Sequence, residues 1–185
     1  MTLLGTDIGV NAQIMIYTGA MPASVGAAVT GTLLTQHAGN ATAYGTVSAG
    51  VLTANAIAQV NAVGAGVAGY FRRNTSGGTA VTQGLCSQQF IINTSASTAA
   101  NGNVLTFTAT TGVTVGMNAT GTGIIAGTTV VAVTGTTVTL SQTTVAGVAS
   151  GASITFGCDM VLVNTNIAVS QPVTITSITD TASGA

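Results

Sequence analysis

One imidazole (His37), three carboxylates (Asp7, Asp159 and Asp180), two guanidiniums (Arg72 and Arg73) and two thiols (Cys86 and Cys158) are the side chains of this 185-residue chain with which acid–base, nucleophilic or metal chemistry could be built. A hydrolase needs a nucleophile, a base and a group that orients the base. Serines are plentiful, but His37, in "LLTQHAGN", is the one imidazole, and no G-x-S-x-G elbow occurs. A glycosidase pair would have to come from three aspartates scattered along the chain. Cys86 and Cys158 are too few and too far apart in sequence for a zinc site, which takes closely spaced ligand pairs, or for a disulfide scaffold. "GAGVAG", residues 64–69, and "GTGIIA", residues 121–126, match the dinucleotide fingerprint and its alanine variant. That site also requires a helix after the glycines and an acid about 20 positions on. Strand-like "YFRRNTSGG" and "GTTVVAVTG" follow instead. The sequence therefore reads as a non-enzyme with no catalytic, cofactor-binding or metal residues. His37 is expected to be a polar loop or interface residue.

The elements that would have to position these groups read as strands. Helical periodicity is nearly absent, while β-branched alternation recurs in "QIMIYTG", "GVLTANAIAQV", "AGYFRRN", "NVLTFTATT", "TTVVAVTG", "TTVTLSQT", "ASITFG", "DMVLVN" and "PVTITSIT". "MPASVGAAVTG", with Pro22 and flanking glycines, reads as a loop. Short strands with frequent turn residues predict an all-β fold, an antiparallel sandwich or jelly-roll-like host domain. Arg72 and Arg73 are adjacent on an expected strand and so point to opposite faces. The expectation is one local ion pair and one solvated charge.

Composition shifts near residue 93, where "NTSASTAANGN" resembles a linker and a compact run to Gly157 follows. The expected organisation is a host domain of residues 1–92 plus 158–185 and an inserted β-module of residues 93–157. A chain that leaves and re-enters a host fold must do so at nearby points. Cys86 and Cys158 are therefore expected as near neighbours, buried as thiols; a disulfide between them would need Cα atoms within about 7 Å.

Charge is what the chain most lacks. Charged residues make up 3% of it, with no lysine and no glutamate, and the formal net charge is −1. Nucleic-acid affinity comes largely from Lys and Arg, so no nucleic-acid partner is expected. The apolar runs are broken by Thr, Asn and Gly before the roughly 18 consecutive positions of a spanning helix, and the N-terminus lacks a basic signal-peptide region. A chain made in the cytosol, with no membrane partner, is expected. Without lysine, Lys–Asn isopeptide cross-links cannot form, so reinforcement must come from packing and hydrogen bonds. Free β-proteins protect exposed strand edges with lysine, proline or inward charges, and this chain has only Pro22 and Pro172. Its edges are expected to be covered by other subunits.

"IMIYTGAMPASVGAAVTGTLL", "GVLTANAI", "GYFRRNTSGGTAVTQG" and "CDMVLVNTNIAVSQPVTITSIT" together resemble a family of small tailed-bacteriophage and prophage virion proteins. Its members show I-x-I-Y-T-G-x-x-P-A-S, T-G-T-L-L, G-V-L-T-A-N-A-I, a W-F-R strand with an S-D-G-T turn, and a closing V-S-V-T-S-F-T-I-T-like strand. The likeness spans roughly residues 1–90 and 158–185. Tyr70 stands where the pattern has Trp, the turn reads "SGGT", and a module interrupts the chain before Cys158. That module resembles a short β-unit found in many phage and surface proteins. Gly116, Met117, Gly121, Gly123, Ile124, Gly127, Thr128 and Val130 carry the match, and residues 137–141 close it. The second resemblance implies a spacer or adhesion unit with 127–144 as a hairpin.

The resemblance implies a virion structural protein and leaves its position open; the scarcity of charge and the unprotected strand edges make the capsid surface, as a decoration (cement) protein, the expected position. Its expected partners are the major capsid protein and copies of itself, as a homo-oligomer such as a trimer. The alternative is a neck, tail or fibre protein whose inserted module touches a host surface glycan.

Overall fold

The computed structural model describes residues 11–39 and 57–178. Asp7, Asp180 and most of the expected strand "GVLTANAIAQV" lie outside the described residues. Among the described residues the chain is all-β, antiparallel and sandwich-like, with no helix. The strands in chain order are β1 (Gln13–Thr18), β2 (Leu33–Ala38), β3 (Val60–Asn61), β4 (Gly66–Asn74), β5 (Ala80–Ser87), β6 (Phe90–Asn93), β7 (Val104–Thr106), β8 (Asn118–Thr120), β9 (Val130–Val133), β10 (Thr137–Leu140), β11 (Ser153–Gly157), β12 (Met160–Leu162), β13 (Asn166–Ile167), β14 (Pro172–Val173) and β15 (Ile175–Ile178). The described residues divide into two compact units, 11–39 and 57–87 with 162–178, and 88–161.

The first unit is built on strands in the order β5-β4-β1-β2, with β13 also paired to β4, and on a two-stranded ribbon of β14 and β3. Period-2 alternation fixes which side chains share a face. Register places Ile14 and Ile16 of β1 beside His37 and Thr35 of β2 and beside Arg73 and Phe71 of β4. All six are buried. Met15 and Tyr17 lie on the opposite face with Arg72 and Tyr70. A register shift between Ile16 and Tyr17 in the β1–β2 ladder is a β-bulge, a device that increases local twist and re-aims side chains. Tyr17 and Tyr70 stack with ring centroids 5.2 Å apart and planes 16° apart.

The second unit has two three-stranded sheets, β7-β10-β9 and β6-β11-β8. The expected hairpin at 127–144 forms: Val138 faces Val133, and Thr139 faces Ala132. Its tight end is closed by the Thr134 amide donating to the Thr137 carbonyl (2.9 Å) and by the two threonine hydroxyls, 2.7 Å apart. The core is Leu105, Phe107, Met117, Val130, Val138, Leu140, Ile154 and Phe156, all buried. Phe107 and Phe156 meet edge-on at 5.7 Å and 69°.

Threonine does in this unit what charged side chains do elsewhere, which is to satisfy buried backbone groups. Thr94 donates to the Ala149 carbonyl (2.7 Å) and accepts from the Ala152 amide (3.0 Å). Thr128 donates to the Ile125 carbonyl (2.7 Å), Thr144 to Ala99 (3.1 Å) and Thr110 to Thr134. All four donors are buried.

Several expected strands differ in extent. "NVLTFTATT" contributes only Val104–Thr106. "PVTITSIT" is split at Thr174 into β14 and β15, because the two halves join different sheets. Strands β2 ("LLTQHA") and β5 ("AVTQGLCS") were not expected. Gln and Gly dilute their alternation, but tertiary pairing on both sides of β1 and β4 overrides weak local propensity.

Candidate interaction surface

The residues with chemical potential do not gather. His37 is not a loop residue: it sits on β2 with no exposed surface. Its Nδ1 lies 3.0 Å from the Ala58 carbonyl, which can only accept, so Nδ1 carries the proton. Nε2 is buried with no hydrogen-bond partner. Burial holds the imidazole pKa below its ordinary value, and the Ala58 bond opposes this only in part. The unfolded chain therefore takes a proton near pH 6.5 that the folded chain refuses. On account of His37, stability is expected to fall as pH drops through 6.5, until the folded-state pKa is reached, and to be unaffected by this group above neutrality. Urea titrations at pH 7.5 and 5.5 check this: His37→Gln should lose less stability over that interval than the parent, and equal losses would remove His37 as the cause.

Arg72 and Arg73 do point to opposite faces, but neither is solvated; they are 5% and 6% exposed. The expected solvated charge is corrected: Arg72 is covered by the segment whose Ser24 and Ala27 carbonyls it bonds, and Arg73 is buried on the opposite face beside Ile14 of β1. Cys86 and Cys158 are buried thiols. "GAGVAG" runs into strand β4 and "GTGIIA" lies in turns, with no helix at either. Among the described residues no three of His, Cys, Asp and Glu gather as a metal site, and no helix is long and apolar enough to cross a membrane.

What the fold does organise is the loop at 19–31, between β1 and β2. Its base is closed by the Thr18 amide donating to the Thr32 carbonyl (3.0 Å) and by the Thr32 amide donating to the Thr18 hydroxyl (2.8 Å). Gly31 makes the return, at φ +81°, where a Cβ would also meet the Thr18 carbonyl oxygen. Compact segments with adjacent ends are Ω-loops, and they are frequently functional.

Three side chains from the sheet fasten this loop. Tyr70 Oη accepts from the Thr30 amide (3.0 Å) and donates to the Thr30 carbonyl (2.7 Å). Arg72 Nη2 donates to the carbonyls of Ala27 (2.8 Å) and Ser24 (3.4 Å), while its Nε donates to Gln83 Oε1 (3.3 Å). Gln83 Nε2 in turn donates to the Pro22 carbonyl (2.6 Å). Tyr70 and Arg72 are two apart on β4, and Gln83 faces Arg72 across the β4–β5 ladder, so strand geometry puts all three on one face. Sequence reading missed this set; the signal for it was a Tyr and an Arg at i, i+2 on a strand, together with a long Ala- and Gly-rich segment with no strand pattern.

With the loop carbonyls held from below, its apolar side chains are left outside. Met21 is 37% exposed and Val29 49%, and Ala20, Ala23 and Ala28 are exposed as well. The same character extends over both units, each taken alone: Val63, Val67, Val163 and Val169 are exposed in the first, and Ile91, Val104, Val115, Val131 and Val145 in the second. Because both arginines are buried, no cationic side chain stands on the described surface.

Comparisons with protein-family models, with curated proteins and with solved structures found no match.

Proposed function

We propose that this chain is a structural protein of a bacteriophage virion, a capsid decoration protein that binds and stabilises the outer head surface by cohesion. The observation that carries the proposal is the described surface: large apolar side chains stand exposed across it, while the chain's only two cations are buried. Exposed valines without neighbouring charge favour association, and near-zero net charge removes the repulsion that keeps free proteins apart. Contacts that are individually modest become sufficient when symmetry repeats them. The major capsid protein and other copies of this chain are the partners this supports, on the outside of the head after synthesis in the bacterial cytoplasm. Nucleic acid is disfavoured, since no described surface cation is available to displace counterions.

Quantitative mass spectrometry of purified particles tests the proposal. On the order of hundreds of copies per particle, scaling with the major capsid protein, is the expected result. About a dozen copies or fewer would move the chain to the neck, tail or fibre, and absence from particles would end the virion assignment.

A further inference from the structure

Strand β2 ends its sheet, laddered to β1 on one side only. Its outer edge is covered by residues 58–64. The Val63 and Gly64 amides both donate to the Leu34 carbonyl (2.8 and 3.3 Å), and His37 Nδ1 donates to the Ala58 carbonyl (3.0 Å). Gly64 allows the close approach, since a Cβ there would collide with the Leu33 carbonyl oxygen. The first glycine of "GAGVAG" thus serves the packing of backbone on backbone.

One ionisable group is built into this seam. His37 has no exposed surface, and its Nε2 has no hydrogen-bond partner. Protonation would put a donor and a positive charge there with no acceptor in reach. Ile14 of β1 lies beside the imidazole, Arg73 of β4 lies beyond Ile14 on the same face, and β5 adds Thr82 and, four residues on, Cys86. Residues 58–64 carry no titratable side chain, and no carboxylate stands among the described residues of the first unit. The charged group described on this face, Arg73, therefore has the same sign as an imidazolium. Hydrating an imidazolium requires one side of the seam to give way. Strand β2 is held to β1 by a ladder from Gln13–Ala38 to Tyr17–Leu33, whereas the covering segment is held to β2 by the three bonds above. Within that segment β3 pairs with β14 and not with β2, so the ribbon can leave β2 with its own pairing intact.

We infer that His37 is an acid-operated latch: on protonation the ribbon of β3 and β14 lifts from β2 and bares the outer edge of that strand, while β1, β4 and β5 stay paired. The edge so exposed, "LLTQHA", carries no lysine, proline or carboxylate to guard it. The latch lies within the first unit and does not depend on the virion assignment.

Because the chain has one histidine, its imidazole gives a single resonance that reports the latch directly. NMR of the full chain between pH 7.5 and 5.0 is the experiment, following that resonance together with amide exchange corrected for its intrinsic pH dependence. Val63 and Gly64 are expected to lose protection by roughly tenfold per pH unit below about 6.5, until the pKa of the closed state is reached, while the amides of β1 and β4 keep theirs. His37→Gln should hold the protection of Val63 and Gly64 constant over the same range. Gly64→Ala pries the seam without touching the imidazole. It should expose the Val63 amide already at pH 7.5 and bring the imidazole titration up toward about 6.5, and it decides the matter if His37→Gln does not fold. The inference is overturned by unchanged protection of Val63 at pH 5.0, by equal loss in His37→Gln, by loss of β1 and β4 protection together with Val63, or by an imidazole titration in Gly64→Ala that matches the parent.

Discussion

Phe156→Ala is expected to melt the second unit while leaving the first folded. Phe156 is fully buried on β11, the central strand of its sheet, facing Phe90 of β6 in one ladder and Ala119 of β8 in the other, and its ring meets Phe107 edge-on. Truncating a buried phenylalanine to alanine costs about 3–5 kcal/mol, and loss of the aromatic pair adds about 1 kcal/mol. At 0.05–0.15 kcal/mol per residue, residues 88–161 have a total stability of roughly 4–11 kcal/mol, so the substitution removes a large share of it. The unit's buried threonine hydroxyls bond to backbone carbonyls whose positions depend on the same packing, so these bonds weaken with it. Hydrogen exchange on the full chain is the measurement. Amides of Val104–Thr106, Thr137–Leu140 and Ser153–Gly157 should lose most of their protection, while Gln13–Thr18 and Gly66–Asn74 keep theirs. Equal loss in both sets would mean that the two units unfold as one.

How much of this was legible in the sequence depends on whether local pattern or tertiary pairing decides an element. Ile14 and Ile16 alternate with polar neighbours, and the buried face of β1 follows directly from that alternation. Residues 127–144 carry Val and Thr at strand spacing around a glycine turn, and the hairpin is where that pattern puts it. The all-β class follows from the same signals repeated along the chain. His37 was misplaced because a lone imidazole in "LLTQHAGN" has no local signature of burial; only the pairing of β2 with β1 and the Ala58 carbonyl make its site. Arg72 and Arg73 were half legible. Adjacency on a strand gives opposite faces, but that both faces of β4 are covered depends on neighbours distant in sequence. The clamp on 19–31 lay further out of reach, because bonds such as Arg72 to Ala27 and Gln83 to Pro22 join residues 45 and 61 positions apart. Local patterning cannot encode a pairing of that separation; it appears only once β4 and β5 are in register.

Arg72→Met should release that loop without unfolding the sheet beneath it. Methionine keeps the apolar length of the stem against Met15, its register partner on β1, but supplies no donor. The carbonyls of Ser24 and Ala27 and the Gln83 amide oxygen then lose their partner. Each such group left unsatisfied in the interior costs about 1–3 kcal/mol, which the chain avoids by letting the loop move out into water. The consequence is therefore local opening more than global instability. Limited proteolysis between residues 20 and 30 is expected to accelerate at least tenfold, while protection of Gly66–Asn74 changes little. Arg72→Lys should resemble Arg72→Met rather than the parent, because an ammonium on a flexible stem cannot span the Gln83 oxygen and two loop carbonyls as a planar fork does. Tyr70→Phe should show a smaller acceleration, since it removes both bonds to Thr30 but retains the ring stacked on Tyr17. If the cleavage rate of Arg72→Met matches the parent, the guanidinium is not what holds the loop, and the physical reason for burying the cation would have to be sought on the strand itself.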